Sequence, residues 1–293
     1  MDAFGRKALL PLIKAALRED QASRDITSQA VIPPGLRIRA RVLAGEAGVL
    51  AGVKLAALVF TTQDRWLRCR LHLHSGAALS PGKTILTIEG RARSIFAAER
   101  TALNLLGHLC GIATLTRAYV RRAGGTKAAI LDTRKTLPGL RALEKDAVRA
   151  GGGQSHRSDL AEAVLIKTNH LRVASCVPRR ASKTIIRDLI RTARQKTGGK
   201  FVEIEVSGFK EFRAALEAGP DAILLDNWRI SNIRRAVRLR TTHDARRRTP
   251  LEVSGGVTLA NIRAIARTGV DRISVGRLTH SAPSLDVALK VLT

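Results

Sequence analysis

Residues 201–227 read FVEIEVSGFKEFRAALEAGPDAILLDN, and this stretch decides the fold. An apolar run at 201–206 is followed by an amphipathic stretch at 209–218 and by a second apolar run at 222–225. Two strands joined by a helical crossover lie parallel in one sheet, whereas antiparallel neighbours need only a tight turn. The stretch therefore predicts a parallel βα unit.

The same alternation recurs through the second half of the chain, after Gly124-Gly125. It indicates an α/β fold, in which six strand-like runs suit a βα barrel, complete or incomplete, or an open doubly wound sheet. The remaining apolar runs lie at 128–131, 163–166, 251–253 and 272–275, and the remaining amphipathic stretches at 183–195, 230–239 and 259–268.

The first part of the chain mixes element types and stands apart from this repeat. A helical pattern at 4–17 precedes a polar loop at 20–34, which contains a turn at 25–28. A long helix is predicted from Ser94 to about Arg122. Between these segments the pattern predicts strands at 38–43, 49–52, 67–73 and 84–88 and a helix at 53–61.

The composition is ordinary for an enzyme except in its charge. The 293 residues are 45% hydrophobic, but 51 Lys and Arg face 24 Asp and Glu, a formal charge of +27. Nucleic acid is the obvious partner for such a chain, and residues 229–248, with eight arginines against Asp244 alone, support it best. However, the basic residues are spread along the chain and aromatic residues make up only 3%, so few stacking platforms exist. We therefore do not expect nucleic acid to be the primary partner.

Cysteine usage indicates the compartment. Cys69, Cys110 and Cys176 are far apart and odd in number, which is typical neither of a disulfide framework nor of a zinc site. The N-terminus shows no signal-peptide pattern, and no segment approaches the length of a membrane span. These features predict a cytoplasmic protein.

The ends of the predicted strands carry the candidate chemistry, because side chains at the carboxyl ends of barrel strands gather in one place. Cations follow three apolar or glycine-rich segments and suit a small, multiply anionic ligand. Carboxylates end two further strands and could share a Mg²⁺ ion. Glycine loops end the last two and could cradle a phosphate, aided by a helix N-terminus. The cations are Arg134, Lys135, His156, Arg157 and Lys167; the acids are Glu205 and Asp226, with Glu203 on the same strand face as Glu205; the phosphate-loop residues are Ser254, Gly255, Gly256 and Gly276.

Each cluster also has a simpler interpretation. The pair Arg134-Lys135 could be a solvated turn, and His156-Arg157 could belong to an ordinary flexible loop. Lys167 could reach solvent, and the acids could pair with some of the many arginines.

Several segments, in order along nearly the whole chain, resemble the quinolinate phosphoribosyltransferase family, also called carboxylating nicotinate-nucleotide pyrophosphorylase. The longest of them, DTRKTLPGLR at 132–141, has ten consecutive residues. The others are 19–20, 25–27, 99–104, 111–114, 151–153, 156–157, 165–167, 169–170, 225–227, 254–256 and 275–281.

The resemblance implies a fold and a reaction. The fold is an N-terminal α/β sandwich domain, residues 1–113, followed by an incomplete parallel βα barrel, residues 114–280, with residues 281–293 packing back on the first domain. The reaction joins quinolinate to phosphoribosyl pyrophosphate and releases pyrophosphate and CO₂ to form nicotinate mononucleotide for NAD biosynthesis. A homodimer with a shared active site is implied.

The resemblance also implies residue roles. Glu205 and Asp226 serve the Mg²⁺ and ribose side, and Lys135 lies between the two substrates. Quinolinate is held by Arg100 of a neighbouring subunit together with Thr133, Arg134, His156, Arg157 and Lys167; phosphoribosyl pyrophosphate is held by Lys135, Glu205, Asp226, Ser254, Gly255, Gly256 and Gly276.

Four positions depart from the usual family pattern: Cys110, Ser155, Thr168 and Arg277. Thr168 stands where the family usually has Asp, close to the expected ligands, so it bears on rate and substrate range. A related branch associated with molybdenum transport genes shares the fold and many motifs. The intact set of cations in the clamp favours quinolinate.

Overall fold

The structure is a computed structural model that describes residues 6–176, 182–243 and 249–292. The helices, in chain order, are α1 (Arg6–Glu19), α2 (Ile26–Val31), α3 (Val53–Gln63), α4 (Ala92–Ala123), α5 (Arg141–Gly151), α6 (Thr168–Ser175), α7 (Ser182–Lys196), α8 (Phe209–Ala218), α9 (Ile230–His243), α10 (Ile262–Ala266) and α11 (Arg277–His280). The strands are β1 (Arg37–Ala44), β2 (Gly48–Val49), β3 (Arg68–Leu71), β4 (Ala78–Leu79), β5 (Thr84–Arg91), β6 (Ala129–Leu131), β7 (Val164–Ile166), β8 (Val202–Val206), β9 (Ala222–Asp226), β10 (Leu251–Ser254), β11 (Arg272–Ser274) and β12 (Val287–Leu292).

The chain forms two compact units. The first comprises Met1–Arg117, Thr136–Gly152 and Arg277–Thr293, and the second comprises Ala118–Lys135 and Gly153–Gly276. The segment Thr136–Gly152, which carries α5, lies inside the range predicted for the barrel domain but groups with the first unit.

An antiparallel sheet organises the first unit. Its strand order is β12-β1-β5-β3, and β1 pairs with β12 from Arg39↔Leu292 to Ala44↔Val287. Along β1, Ala40, Val42 and Ala44 are buried at every second position, as expected for a sheet with one apolar face. The long helix α4 adds its own buried face to this unit's core.

The polar loop predicted at 20–34 is wrong, because this segment contains a 3₁₀ turn at Ala22–Arg24 and the helix α2. The Asp25 carboxylate accepts the Ser28 backbone N–H at 2.9 Å and caps α2. An Asp that starts a turn and an Asp that caps a helix look alike in sequence, since both accept a nearby backbone N–H.

A parallel sheet of six strands organises the second unit, in the order β6-β11-β10-β9-β8-β7. The first strand of the repeat, β6, pairs with the last, β11, so the sheet curls round instead of extending on both sides of a central strand. The two end strands of the sheet are β6 and β7. This order confirms the incomplete βα barrel and decides against the doubly wound sheet.

Strand register places acidic residues on one face of the parallel sheet. Glu203 and Glu205 lie two apart on β8, and Glu205 pairs with Leu224, which in turn pairs with Glu252 on β10. Glu252 pairs with Arg272 on β11. Because in-register neighbours in a parallel sheet project to the same side, these charged residues share one face.

The arginine-rich stretch at 229–248 has partly structural roles. Arg240 is buried on α9 and pairs with Asp271, and the guanidinium of Arg235 stacks 4.5 Å from the centre of the Phe209 ring. Residues 244–248 of this stretch lie outside the described residues.

Within the part of the chain that the structure describes, every helix is too short or too polar to cross a bilayer.

Candidate active site

Two arginines form the cationic part of the site. Arg134 follows β6, and its Nε is buried without a hydrogen-bond partner among the described residues. Burial, and then the charge of Arg134, lower the pKa of Arg157, so the two guanidiniums lie within electrostatic reach of each other. Nη1 of Arg157 donates to the Ala163 carbonyl at 3.0 Å. A buried donor beside a second cation favours an anionic ligand between them.

The lysines of the clamp are exposed. Lys135 lies in the loop after β6, and its backbone N–H donates to the Thr133 hydroxyl at 3.1 Å. Lys167 directly precedes α6, and its backbone N–H donates to Nδ1 of His170 at 2.8 Å. Lys167 is exposed, in agreement with the simpler interpretation that its side chain reaches solvent. The pKa of Asp226 is raised overall, by burial and by Glu205, but both ammonium groups act in the opposite direction. The two lysines therefore lie within electrostatic reach of Asp226.

The acid pair lies at the ends of β8 and β9. Burial and then the charge of Glu205 raise the pKa of Asp226, so the two carboxylates are close enough to repel. Oε1 of Glu205 accepts the Thr168 hydroxyl at 2.7 Å and the Thr168 backbone N–H at 3.1 Å. Oδ2 of Asp226 accepts the Asn227 side-chain amide at 3.0 Å. Among the described residues, no hydrogen bond uses the second oxygen of either carboxylate, so the pair fits an oxygen-preferring cation such as Mg²⁺.

A glycine loop follows β10 beside the acid pair. Ser254 pairs in register with Asp226, and its carbonyl accepts the Asn227 N–H at 2.9 Å. Gly255 has φ +87°, and a Cβ there would lie 2.2 Å from the Asn227 amide oxygen. Gly256 also has a positive φ, of +62°. Only glycine can hold this backbone so close to the strand ends, which leaves room for a ligand to contact the loop.

The helix predicted at 259–268 is shorter than expected. Thr258 and Asn261 exchange hydrogen bonds between side chain and backbone, and α10 begins only at Ile262. The Asn261 amide also donates to the Gly256 carbonyl at 2.9 Å. The glycines of this loop therefore precede a hydrogen-bonded turn that separates them from the start of α10, whereas Gly276 directly precedes α11.

His156 lies inside a cluster of buried acids. Its Nε2 is 2.9 Å from Oε2 of Glu203 and 3.5 Å from Oε1 of Glu252. Burial alone would lower the pKa of His156, but the hydrogen bond to Glu203 and the charges of Glu252 and Glu203 raise it. Because Nδ1 of His156 accepts the Arg157 backbone N–H, the raised pKa belongs to the cluster as a whole and not to that nitrogen. Burial and the charge of Glu252 raise the pKa of Glu203. Such interacting groups titrate as one cluster, so the cluster keeps a proton through neutral pH.

The structure gathers the predicted site residues in the second unit, with one exception. Arg100 lies on α4 in the first unit, where it lines a cleft of about 180 Å³ with Asn104 and Asp286. Gly276 follows β11 at the end of the second unit.

Three residues that shape the site had no predicted contact, although Thr168 was noted as a departure close to the expected ligands. Thr168 and Asn227 each hold one oxygen of the acid pair, and Glu252 adds a second buried carboxylate near His156. A signal for Glu252 existed, because it is a charged residue in the middle of the buried strand β10. Glu203, expected to join Glu205, instead bonds to His156.

The ends of the barrel strands thus define an α/β barrel protein that carries a cationic group of side chains, an acid pair and a glycine loop. Profiles of two families match the chain: "Quinolinate phosphoribosyl transferase, N-terminal domain" over residues 25–110 and the corresponding C-terminal domain over residues 112–290. Together they cover most of the chain, which therefore belongs to the quinolinate phosphoribosyl transferase family.

Characterised relatives and solved structures agree. The chain is 43% identical to the carboxylating nicotinate-nucleotide pyrophosphorylase of Mycobacterium leprae, over 94% of this chain and 95% of the relative. It is 35% identical to a decarboxylating quinolinate phosphoribosyltransferase of Nicotiana tabacum, over 96% of this chain and 82% of the relative. The crystal structure of NadC from Streptococcus pyogenes superposes with a TM-score of 0.88 at 36% identity, covering 99% of both chains.

Proposed function

We propose that this chain catalyses the transfer of the phosphoribosyl group to quinolinate with loss of CO₂, forming nicotinate mononucleotide for NAD biosynthesis. The observation that carries the proposal is a pair of arginines of which one has a buried, unpartnered donor and acts electrostatically on the other. Arg134 has a buried Nε without a hydrogen-bond partner in the described part of the chain, and Arg157 lies close enough to be affected by its charge. A rigid dicarboxylate supplies the two anionic groups that such a pair lacks.

The clamp for quinolinate consists of Thr133, Arg134, Arg157 and Lys167, with His156 behind Arg157. Arginine forks suit carboxylates because each can donate two parallel hydrogen bonds. Lys167 is exposed at the end of β7 and can bind from the solvent side. The chain must bring two anionic substrates together, and a cationic clamp opposes their repulsion and holds the ring for attack.

The sugar phosphate lies, in this proposal, against the acid pair and the glycine loop. Glu205 and Asp226 would hold Mg²⁺, which when bound neutralises charge on the departing pyrophosphate. The free oxygens of the two acids and their mutual repulsion support this assignment. Ser254, Gly255, Gly256 and Gly276 would bind the 5′-phosphate through backbone N–H groups.

The residues around the ribose fit the chemistry of the transfer step. As the bond from C1 to pyrophosphate breaks, positive charge develops on the sugar, and the carboxylates of Glu205 and Asp226 stabilise it. Lys135, within reach of Asp226, binds between the donor and the acceptor ring. The pyridine nitrogen of quinolinate attacks C1 with its own lone pair and carries no proton, so no general base on the protein is needed to activate it. Once quaternised, the nitrogen stabilises the negative charge that departing CO₂ leaves on the adjacent ring carbon, and that carbon takes a proton from solvent.

Three finer features belong to the same proposal. A homodimer with a shared active site would let Arg100 bind quinolinate held by the other subunit, since Arg100 lies in the first unit and the clamp in the second. The three cysteines are free thiols, which suits the reducing cytoplasm. Nucleic acid is not proposed as the primary partner.

The test is direct. The purified protein is mixed with Mg²⁺, quinolinate and phosphoribosyl pyrophosphate, and nicotinate mononucleotide is followed with time. We expect product that requires both substrates and disappears on chelation of Mg²⁺. Absence of product, combined with tight and salt-sensitive RNA binding, would contradict the proposal.

The shared site has a test of its own. Lys135→Ala and Arg100→Ala are each expected to lack activity, whereas the two mixed under conditions of subunit exchange should regain part of it. A mixture that exchanges subunits without regaining activity would leave the enzyme assignment intact but contradict the shared site.

A further inference from the structure

Two buried glutamates meet one histidine inside the barrel. Glu203 on β8 and Glu252 on β10 have side chains that are 1% and 0% exposed, and His156 is 14% exposed. The three side chains place nitrogen and oxygen atoms within 4.8 Å of one another. Two carboxylates in such a dry place are costly to bury, so their presence needs a physical reason.

Hydrogen bonds fix the orientation of the His156 ring. The Arg157 backbone N–H lies 2.8 Å from Nδ1, and because a backbone N–H can only donate, Nδ1 accepts. Nε2 is therefore the nitrogen that bears a hydrogen and donates to Glu203 at 2.9 Å. The His156 backbone N–H donates to Oδ1 of the buried Asp132, also at 2.9 Å. The ring is thus held through both nitrogens and through its own backbone.

Arg157 is the residue that this arrangement controls. Its backbone N–H is bound to the His156 ring, and its guanidinium is bound to the Ala163 carbonyl. A residue held at both ends loses little freedom when it binds a ligand, so its cation is already aimed. Removing the support of His156 would release one of these ends.

Glu252 supports Glu203 rather than binding the ring by itself. Neither of its carboxylate oxygens has a hydrogen-bond partner in the described part of the chain, although Oε1 lies 3.5 Å from Nε2 of His156. The two carboxylates flank one N–H and restrict the ring to the orientation that points Nε2 between them. The charged groups around the ring come from every neighbouring element: Glu203 (β8), Glu252 (β10), Arg272 (β11), Asp132 (after β6) and Arg157 on the same loop.

We propose that Glu203 and Glu252 are positioning residues for quinolinate, which act through His156 to aim the Arg157 guanidinium without touching either substrate. The proposal rests on the proposed function and names residues that this function does not otherwise use. It predicts a specific signature: loss of either carboxylate weakens quinolinate binding and leaves the phosphoribosyl pyrophosphate side unchanged.

The cluster could instead hold a metal ion, because His, Glu and Glu are common ligands. Two observations favour positioning. Nε2 already bears a hydrogen that donates to Glu203, and Arg272 acts on the charge of Glu203 from the neighbouring strand. A divalent cation would have to displace that hydrogen and accept a cationic neighbour.

The experiment compares Glu203→Gln and Glu252→Gln with the wild-type enzyme, with kcat and the KM of each substrate measured separately. We expect the KM for quinolinate to rise about tenfold to 100-fold, which is the usual effect of losing a residue that orients a ligand-binding side chain. The KM for phosphoribosyl pyrophosphate should stay within about twofold.

The matched control is Glu144→Gln in the first unit. Glu144 is also fully buried and also bonds to a histidine, with Oε1 2.9 Å from Nε2 of His108. We expect this variant to keep the wild-type KM for quinolinate. An equal rise of KM in Glu144→Gln would overturn the proposal, because the effect would then reflect any lost buried charge.

A second measurement uses the wild-type protein, so it does not depend on whether a variant folds. In the wild-type protein with ¹⁵N-labelled histidine, NMR at neutral pH should show Nδ1 of His156 without a hydrogen. A protonated Nδ1 would overturn the proposal, as would stoichiometric zinc binding that Glu252→Gln abolishes. A wild-type chain that makes no nicotinate mononucleotide would fail the proposed function, whereas an active chain with unchanged KM in both Gln variants would fail only this inference.

Discussion

The chain contains the same buried bond twice, once in each unit. In the first unit, His108 bonds to Glu144 at 2.9 Å; in the second, His156 bonds to Glu203 at the same distance. Both glutamates are buried and both histidines are mostly so. The pair itself therefore does not distinguish a structural contact from a functional one.

The surroundings distinguish the two. Oε2 of Glu144 accepts the Leu137 N–H at 3.4 Å, so both of its oxygens have partners. The second pair instead adds another carboxylate, Glu252, whose two oxygens have no hydrogen-bond partner among the described residues. A buried carboxylate without hydrogen bonds lowers the stability of the fold, whereas a fully hydrogen-bonded one need not. The presence of Glu252 therefore indicates a role in the neighbouring site.

The largest effect should separate the two histidines in catalysis. His156→Ala removes the acceptor for the Arg157 N–H, and we expect kcat/KM for quinolinate to fall about 100-fold or more. For His108→Ala, kcat/KM for quinolinate should stay within about threefold of the wild-type value, when the assay is run at a temperature at which the variant is folded. Equal losses in steady-state assays of the two variants would remove the distinction between the pairs.

A pH titration should separate the barrel cluster from a buried acid of the first unit. Burial and the charge of Glu252 raise the pKa of Glu203, so the folded protein holds the Glu203 proton more tightly than the unfolded chain does, and this contribution to stability is lost as pH rises from the ordinary glutamate pKa of about 4.3 through the raised pKa. The pKa of Asp64 is lowered: burial would raise it, but the Trp66 N–H, Ser94 and Arg91 outweigh burial. The contribution of the Asp64 carboxylate to stability is present above the ordinary pKa of an aspartate and is lost as pH falls through the lowered pKa.

Urea unfolding at a series of pH values measures how the free energy of unfolding changes with pH in each protein. Glu203→Gln should flatten the loss of stability with rising pH, and Asp64→Asn should flatten the loss of stability on the acid side. A reversed pattern would mean that the charges are assigned to the wrong groups.

The smallest effect concerns the structural pair alone. In Glu144→Gln one of the two hydrogen bonds of Glu144 is replaced by a poorer one, and we expect a loss of about 1 kcal/mol in the free energy of unfolding. Denaturant unfolding monitored by circular dichroism measures this loss. No change would show that the bond to His108 contributes nothing net.

Repeating patterns made much of the fold predictable from the sequence. The helix predicted at 209–218 has the bounds of α8, and the strand-like run at 222–225 lacks only Asp226 of β9. Period-3.6 and period-2 spacing are strong local signals, and their alternation indicated the parallel sheet. The order of the strands was left open, because closure of β6 on β11 depends on long-range pairing.

The site was predictable where one residue acts alone and not where several meet. Arg134 follows β6, and Glu205 and Asp226 lie at the ends of β8 and β9, so all three could be found in sequence. The partnership of Glu252 with His156 could not, since the two lie on separate segments that meet only in the fold. Thr168 was noted only as a departure, yet it binds Glu205 with both hydroxyl and N–H.

The pairing of β12 with β1 has a consequence for how the protein is made. Val287–Leu292 closes a sheet that begins at Arg37, so this sheet stays incomplete until the ribosome has made all the residues between these two strands and β12 itself. Until then one side of β1 is an unpaired edge that can pair with another nascent chain. The arginines that alternate along β1, such as Arg39 and Arg41, put like charges on that waiting edge and discourage such pairing during synthesis.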